Sequence, residues 1–253
     1  MSTFKQNCGI PIDFEGFQNA RNPQDVCVFL DDFVGASWST TADAAIWNET
    51  LIATQASTGA CLDGTDAAQD EACGALKVTT DASADEGDNF QVNGEMFHLE
   101  NDTGLPLYFE ARINVQDVSN LDCFVGLSVT DAEIITGGVT DRVGFELASG
   151  TLSAITEKDS TQETTDTAIT ETDDQWVRVA FFFDGTDKVI FSVDDDDDGV
   201  FSYVCTRDID TSTDDVPNDM MMTPTIEAIT GTTATAESMY VDYVLCMQAR
   251  YHA

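Results

Sequence analysis

Along most of this chain apolar and polar residues alternate one for one. The segment Leu107-Tyr-Phe-Glu-Ala-Arg-Ile-Asn-Val115 does so without a fault. Leu107, Phe109, Ala111, Ile113 and Val115 fall on one face, and Tyr108, Glu110, Arg112 and Asn114 fall on the other. A period of two is the mark of a half-buried antiparallel strand. Similar runs cover 124–129, 143–147, 176–183, 189–193, 200–204 and 239–247, separated by turn signals such as Asp184-Gly185-Thr186-Asp187 and Asp198-Gly199. No long stretch keeps a period of 3.6, so helices should be short and few. Many strands with short connections predict an all-β fold of two packed antiparallel sheets, a sandwich or jelly roll. The main interruption is 156–174, rich in Thr, Glu and Asp, which reads as an exposed loop or a strongly twisted hairpin tip; 208–219 reads as a second acidic loop.

Charge changes this picture. The 253 residues hold 47 acidic against 10 basic side chains, a net charge of −37, yet 42% are hydrophobic. Disordered acidic tails lack apolar and aromatic residues, whereas 15 Phe, 5 Tyr and 3 Trp are spread along this chain. A folded core inside an anionic shell is implied. Such a field repels nucleic acid and anionic membranes, and it suits a brine, seawater or divalent-rich setting. The ten basic residues are scattered singly, with no patch to release phosphate counterions. No apolar run approaches the ~20 residues that span a bilayer. The start lacks the cationic and apolar segments of a secretory signal, so synthesis and assembly in a cytoplasm are expected.

The acidity is uneven. Residues 1–30 hold Lys5 and Arg21 against Asp13, Glu15 and Asp25, and carry isolated Phe4, Phe14 and Phe17. This segment reads either as a terminus packed loosely on the body or as a docking arm that buries Phe4, Phe14 and Phe17 on a partner. The domain proper is expected over 31–253. Seven cysteines, with no C-x-x-C, argue against a zinc site of ordinary spacing. Cys123, Cys205 and Cys246 sit in strand patterns as small buried hydrophobes; Cys61 and Cys73 flank an acidic loop and are candidates for a local disulfide.

Several phrases, in order, resemble the concanavalin A-like lectin/glucanase sandwich: Asp31-Asp32-Phe33 with Trp38; Gly74-Ala75-Leu76-Lys77-Val78; Leu107 to Arg112; Phe124-Val125-Gly126-Leu127; Trp176-Val177-Arg178-Val179 with Phe183-Asp184-Gly185; Val189 to Asp194; and Met239 to Val244. They span most of 31–250. Domains of this size in that superfamily without a signal peptide look like virion proteins of tailed bacteriophages, head decoration proteins or fibre and tail parts. The resemblance implies a jelly roll on a virion surface, with the major capsid protein and further copies of itself as partners, in a homo-oligomer.

The same fold hosts laminarinase-like glycosidases, whose Glu-x-Asp-x-x-Glu strand presents its carboxylates on the concave face. The nearest match, Glu157-Lys-Asp159-Ser-Thr-Gln-Glu163, has its last Glu one residue late and no apolar neighbour to raise an acid's pKa. His98 and His252 lack a nucleophile context. No enzyme is expected. Asp194, Asp196, Asp198 and Gly199 match the first half of a D-x-D-x-D-G calcium loop, but Cys205 stands where its bidentate Glu belongs. The loop reads as a calcium or magnesium site at a hairpin tip, or as a solvated acidic turn. A glycan site needs an aromatic platform: Trp176 is expected in the core, and Trp47, in a polar stretch, is expected to be the exposed ring. The function expected is non-catalytic capsid decoration, with a carbohydrate-binding module or tail-fibre adhesin as the alternative.

Overall fold

The computed structural model describes residues 26–33, 38–41, 45–52, 58–62, 74–209, 215–232 and 235–250. These form strands and no helix. In chain order they are β1 (Val26–Asp31), β2 (Trp38–Ser39), β3 (Trp47–Ile52), β4 (Thr58–Leu62), β5 (Ala75–Thr79), β6 (Gly87–Val92), β7 (Phe97–His98), β8 (Leu107–Val115) and β9 (Leu121–Ser128). The second half adds β10 (Arg142–Ala148), β11 (Thr151–Lys158), β12 (Thr161–Thr170), β13 (Trp176–Phe183), β14 (Lys188–Asp194), β15 (Ser202–Asp208), β16 (Met221–Thr230) and β17 (Ser238–Ala249).

They make two sheets packed face to face. The first runs β15-β14-β13-β8-β17-β5-β4, with β1 beside the end of β17; the second runs β12-β11-β10-β9-β16-β6-β3-β2, with β7 beside β16. Every pairing is antiparallel except β2 with β3. The alternation read along Leu107–Val115 is the reason: its odd positions enter the core with Phe181, Phe191, Val241 and Cys246, facing Val125, Phe145 and Ile226 of the second sheet. Phe109 stacks on Phe181 at 5.0 Å, and Phe191 meets Phe145 edge-on at 5.5 Å, closing the sheets around one aromatic seam. The fold is therefore the expected two-sheet antiparallel jelly roll.

Several expectations need correction. Trp47 is not an exposed ring. It is 1% exposed, lies between Phe29 and Phe33, and donates its indole N–H to Asp31 Oδ2 at 2.8 Å. The polar stretch around it folds inward because Asp31 satisfies that donor. Trp176 is not a core ring either; it falls on the even, outward positions of β13, where the Arg112 guanidinium covers it at 4.3 Å. The acidic segment 156–174 is mostly a β-hairpin, β11 and β12 joined through Asp159 and Ser160, both at positive φ. The strand expected over 200–204 lies at Ser202–Asp208, leaving Val200 exposed in the preceding turn. Cys123 and Cys246 are fully buried, and burial pushes both thiols up; Cys205 is half-buried. The arm boundary at residue 30 falls inside β1, which pairs with β17 from Val26↔Ala249 to Asp31↔Val244. Residues 1–25, with Phe4, Phe14 and Phe17, lie outside the described residues, as does Cys73.

Candidate functional site

Each sheet has an outward face. That of the first sheet carries the aspartate loop. Asp194 is fully buried at the end of β14. Its Oδ1 accepts from Asp198 N at 3.2 Å, and its Oδ2 accepts from Gly199 N at 3.0 Å and from Arg178. Asp197, at positive φ, turns back over the sheet; its Oδ2 accepts from Arg112 Nη2 at 2.7 Å, and its Oδ1 lies 3.1 Å from Arg178. Arg112 also reaches Asp242 at 2.9 Å. Glu110 is held by the hydroxyls of Tyr108 and Tyr243; burial and that carboxylate push the Tyr243 phenol up. Two arginines thus meet the repulsion that five adjacent aspartates create. One oxygen each from Asp194, Asp196 and Asp198 lie within 4.8 Å of one another, but Asp194 has both oxygens committed. A calcium ion wants six to eight oxygens, so the geometry supplies part of a shell.

The outward face of the second sheet is different. Alternation places Asn48 and Thr50 of β3, Asn89 and Gln91 of β6, Thr225 and Glu227 of β16, Phe124, Gly126 and Ser128 of β9, Arg142, Gly144 and Glu146 of β10, and Glu157 of β11 on it. Most are buried although they point away from the core. The cause is the β9–β10 connection, 129–141, which folds back over the sheet. Gln91 Nε2 donates to Val129 O at 3.1 Å, and its Oε1 accepts from Asp131 N at 3.1 Å. Asn89 Nδ2 donates to the carbonyls of Asp131 and Ala132 at 2.9 and 3.3 Å. Glu227, 0% exposed, accepts from Ile134 N at 2.7 Å and Ile135 N at 2.8 Å. Burial pushes this carboxyl up to about 7 against the pull of those two amides and of Arg142.

Beyond the loop the face is filled. Gly126 and Gly144 sit opposite each other, and a Cβ on either would stand 2.9 or 3.1 Å from the Phe124 ring tip. The facing strand's backbone stands nearer still, so glycine at both positions lets the two strands and the ring come together. Arg142 covers that ring at 5.5 Å and donates to Glu157 at 2.7 Å, Glu146 at 2.8 Å and Gln162 at 3.1 Å. Glu146 is nonetheless raised, burial outweighing the arginine.

On the β3 side of the loop the face stays open. A cleft of about 380 Å³ is lined by Asn48, Thr50, Gln91 and Asn93, by Ser39 and Thr40, and by Thr130 to Ala132 of the loop. Among the described residues no Lys or Arg belongs to that lining. Asn48 Oδ1 is buried and has no hydrogen-bond partner among the described residues. Of the two acidic residues at the cleft, Glu49 turns toward the first sheet, where Gly59 N donates to it at 3.4 Å, and burial raises its carboxyl. The other, Asp131, has Oδ1 occupied by the amide of Ala132 at 2.6 Å.

The glucanase-like match does not converge. Glu157 faces outward onto Arg142, Asp159 sits in the hairpin turn, and Glu163, opposite Thr156, falls on the other face and pairs with Arg207. The cleft residues were missed in the sequence because each is an ordinary Asn, Gln or Thr at a polar strand position. Their one signal is that amides, rather than charges, occupy those positions in an otherwise acidic chain.

No protein-family model matches the sequence, and neither does any curated protein. Solved structures do match. A protein of unknown function from Shewanella oneidensis MR-1 superposes with a TM-score of 0.59 at 13% identity, over 91% of this chain and 91% of that one. Peanut lectin gives 0.58 at 9% identity over 90% and 99% of the two chains. An endo-1,3-beta-glucanase from Streptomyces sioyaensis gives 0.58 at 16% over 90% and 98%. At these identities the likeness concerns the fold alone, a two-sheet jelly roll of the concanavalin A-like kind.

Proposed function

We propose that this protein is a non-catalytic carbohydrate-binding sandwich that holds an uncharged saccharide in the cleft beside β3 and β6. The observation that carries the reading is the lining, which among the described residues holds no aromatic ring, so polar groups would do the work of the aromatic platform expected from the sequence. Asn48 and Asn93 offer amides that donate and accept at once, and Ser39, Thr40, Thr50 and Thr130 add hydroxyls, whereas Gln91 at the cleft floor is already committed to Ser128, Val129, Thr225 and Asp131. Sugar hydroxyls pair with such groups. The lectin and the glucanase on the same fold support the reading.

The absence of catalysis is part of the proposal. Glycoside hydrolysis uses two carboxyls facing one another across the scissile bond. Here Glu146 and Glu157 are spent on Arg142, Glu227 on the loop backbone, and Glu49 points away from the cleft. The capsid-decoration role expected from the sequence came from the family resemblance, with 1–30 as the docking arm, and none of the structural likenesses above supports a virion setting; binding of the isolated protein to particles is its separate test. A neutral glycan array tests the glycan reading. Saturable binding that falls at least tenfold in Asn48→Ala and Asn93→Ala is expected. Binding unchanged in both variants, or absent from the whole array, overturns it.

A further inference from the structure

The loop that forms one wall of the cleft also limits what enters it. Across the second sheet, Asn48, Gln91, Thr225, Gly126, Gly144 and Ile155 stand opposite one another on successive strands. A polysaccharide segment lying across the sheet would follow that row. It meets the cleft at Asn48 and Gln91 and then a barrier. Gln91 is bonded to the loop at Val129 and Asp131, Asn89 holds the carbonyls of Asp131 and Ala132, and Glu227 holds the amides of Ile134 and Ile135. The loop is thus tied to two neighbouring strands, and Ile134 and Val139 are buried beneath it at 1% exposure. Past the loop the row is closed again by Phe124 and Arg142. The cleft's volume of about 380 Å³ is in the range that houses a small molecule, ~300–1,000 Å³.

From this blind geometry, and resting on the glycan reading above, we propose that the cleft recognises the end of an uncharged saccharide chain, or a free short oligosaccharide, and not the interior of a polymer. The chain end lies over Asn48 and Thr50, and its last rings stop against Thr130–Ala132. Charge restricts the class further. With no cation in the lining and a net charge of −37 on the chain, sulfated and uronic-acid glycans are repelled.

The test uses the full chain with neutral glucan, galactan and mannan as probes, each as the polymer and as its disaccharide to hexasaccharide fragments, plus a sulfated galactan. Inhibition of binding to an immobilised oligosaccharide is read as each polymer is shortened at constant total mass. If ends are recognised, halving the mean chain length doubles the inhibitory potency per unit mass, and the sulfated polymer is inert. Potency that is independent of chain length, or that rises with it, overturns the inference while leaving the glycan reading standing. No binding of any probe overturns both.

Discussion

The two outward faces of this sandwich handle the same problem, buried and half-buried carboxylates in a chain with few cations, in opposite ways. On the first sheet, Arg112 and Arg178 meet Asp194, Asp197 and Asp242 in a network that is open only at its rim, Asp194 being fully buried while the Asp197 side chain is 26% exposed and that of Arg112 15%. On the second, Arg142 is 4% exposed at its side chain, and a loop covers Glu227 altogether. Where solvent can share the work, ion pairs contribute little and can be rearranged. Where it is excluded, each group depends on a specific partner. Both faces keep buried polar atoms without a partner among the described residues, Asn114 and Ser192 on the first and Asn48 on the second, and what sets the second apart is the cleft that Asn48 borders.

The sharpest way to break the comparison is Arg142→Ala. It leaves Glu146 and Glu157 without their cation on the filled part of the face and should cost about 3–5 kcal/mol, read as a lower denaturant midpoint and partly recovered in acid. Next is pH. The Glu227 carboxyl sits at about 7 in the fold against 4.5 for the unperturbed group, so the fold holds this proton more tightly than the unfolded chain does. Its contribution is complete below about pH 4.5 and is lost as pH rises through 7, by up to about 3 kcal/mol. Glu171, pushed by burial to about 7, acts in the same direction. Glu227→Gln should flatten the fall in stability between pH 4.5 and 7; an unchanged slope would mean that the loop is not held through a buried carboxyl. On the first face, Arg112→Ala should cost only about 1 kcal/mol, and less in high salt. The smallest effect expected is that of millimolar calcium. Because Asp194 is already committed, the melting temperature should rise by less than about 2 °C, and a larger rise would establish Asp194, Asp196 and Asp198 as a calcium site.

Much of this architecture was legible. The alternation of Leu107–Val115 and the Phe-rich run of β13 gave both the strands and their inward faces, because a strand half-buried in a sandwich must alternate. β12 was harder to see: its Thr, Gln and Asp residues line a solvated edge, so no apolar face betrays it. β16 was masked by Pro224, which falls where the strand pairs with neither β6 (Thr225–Ile229) nor β7 (Met221–Met222). Trp47 misled because its burial depends on a hydrogen bond to Asp31, sixteen residues away. The cleft could not be read at all, since it exists only because 129–141 folds back over strands distant in sequence.

Hydrogen–deuterium exchange with a saturating neutral oligosaccharide tests the central claim most directly. The account predicts added protection at 91–94 and 130–132 and none at 194–201. Protection of 194–201 with the cleft unchanged would move the binding face to the first sheet and contradict it.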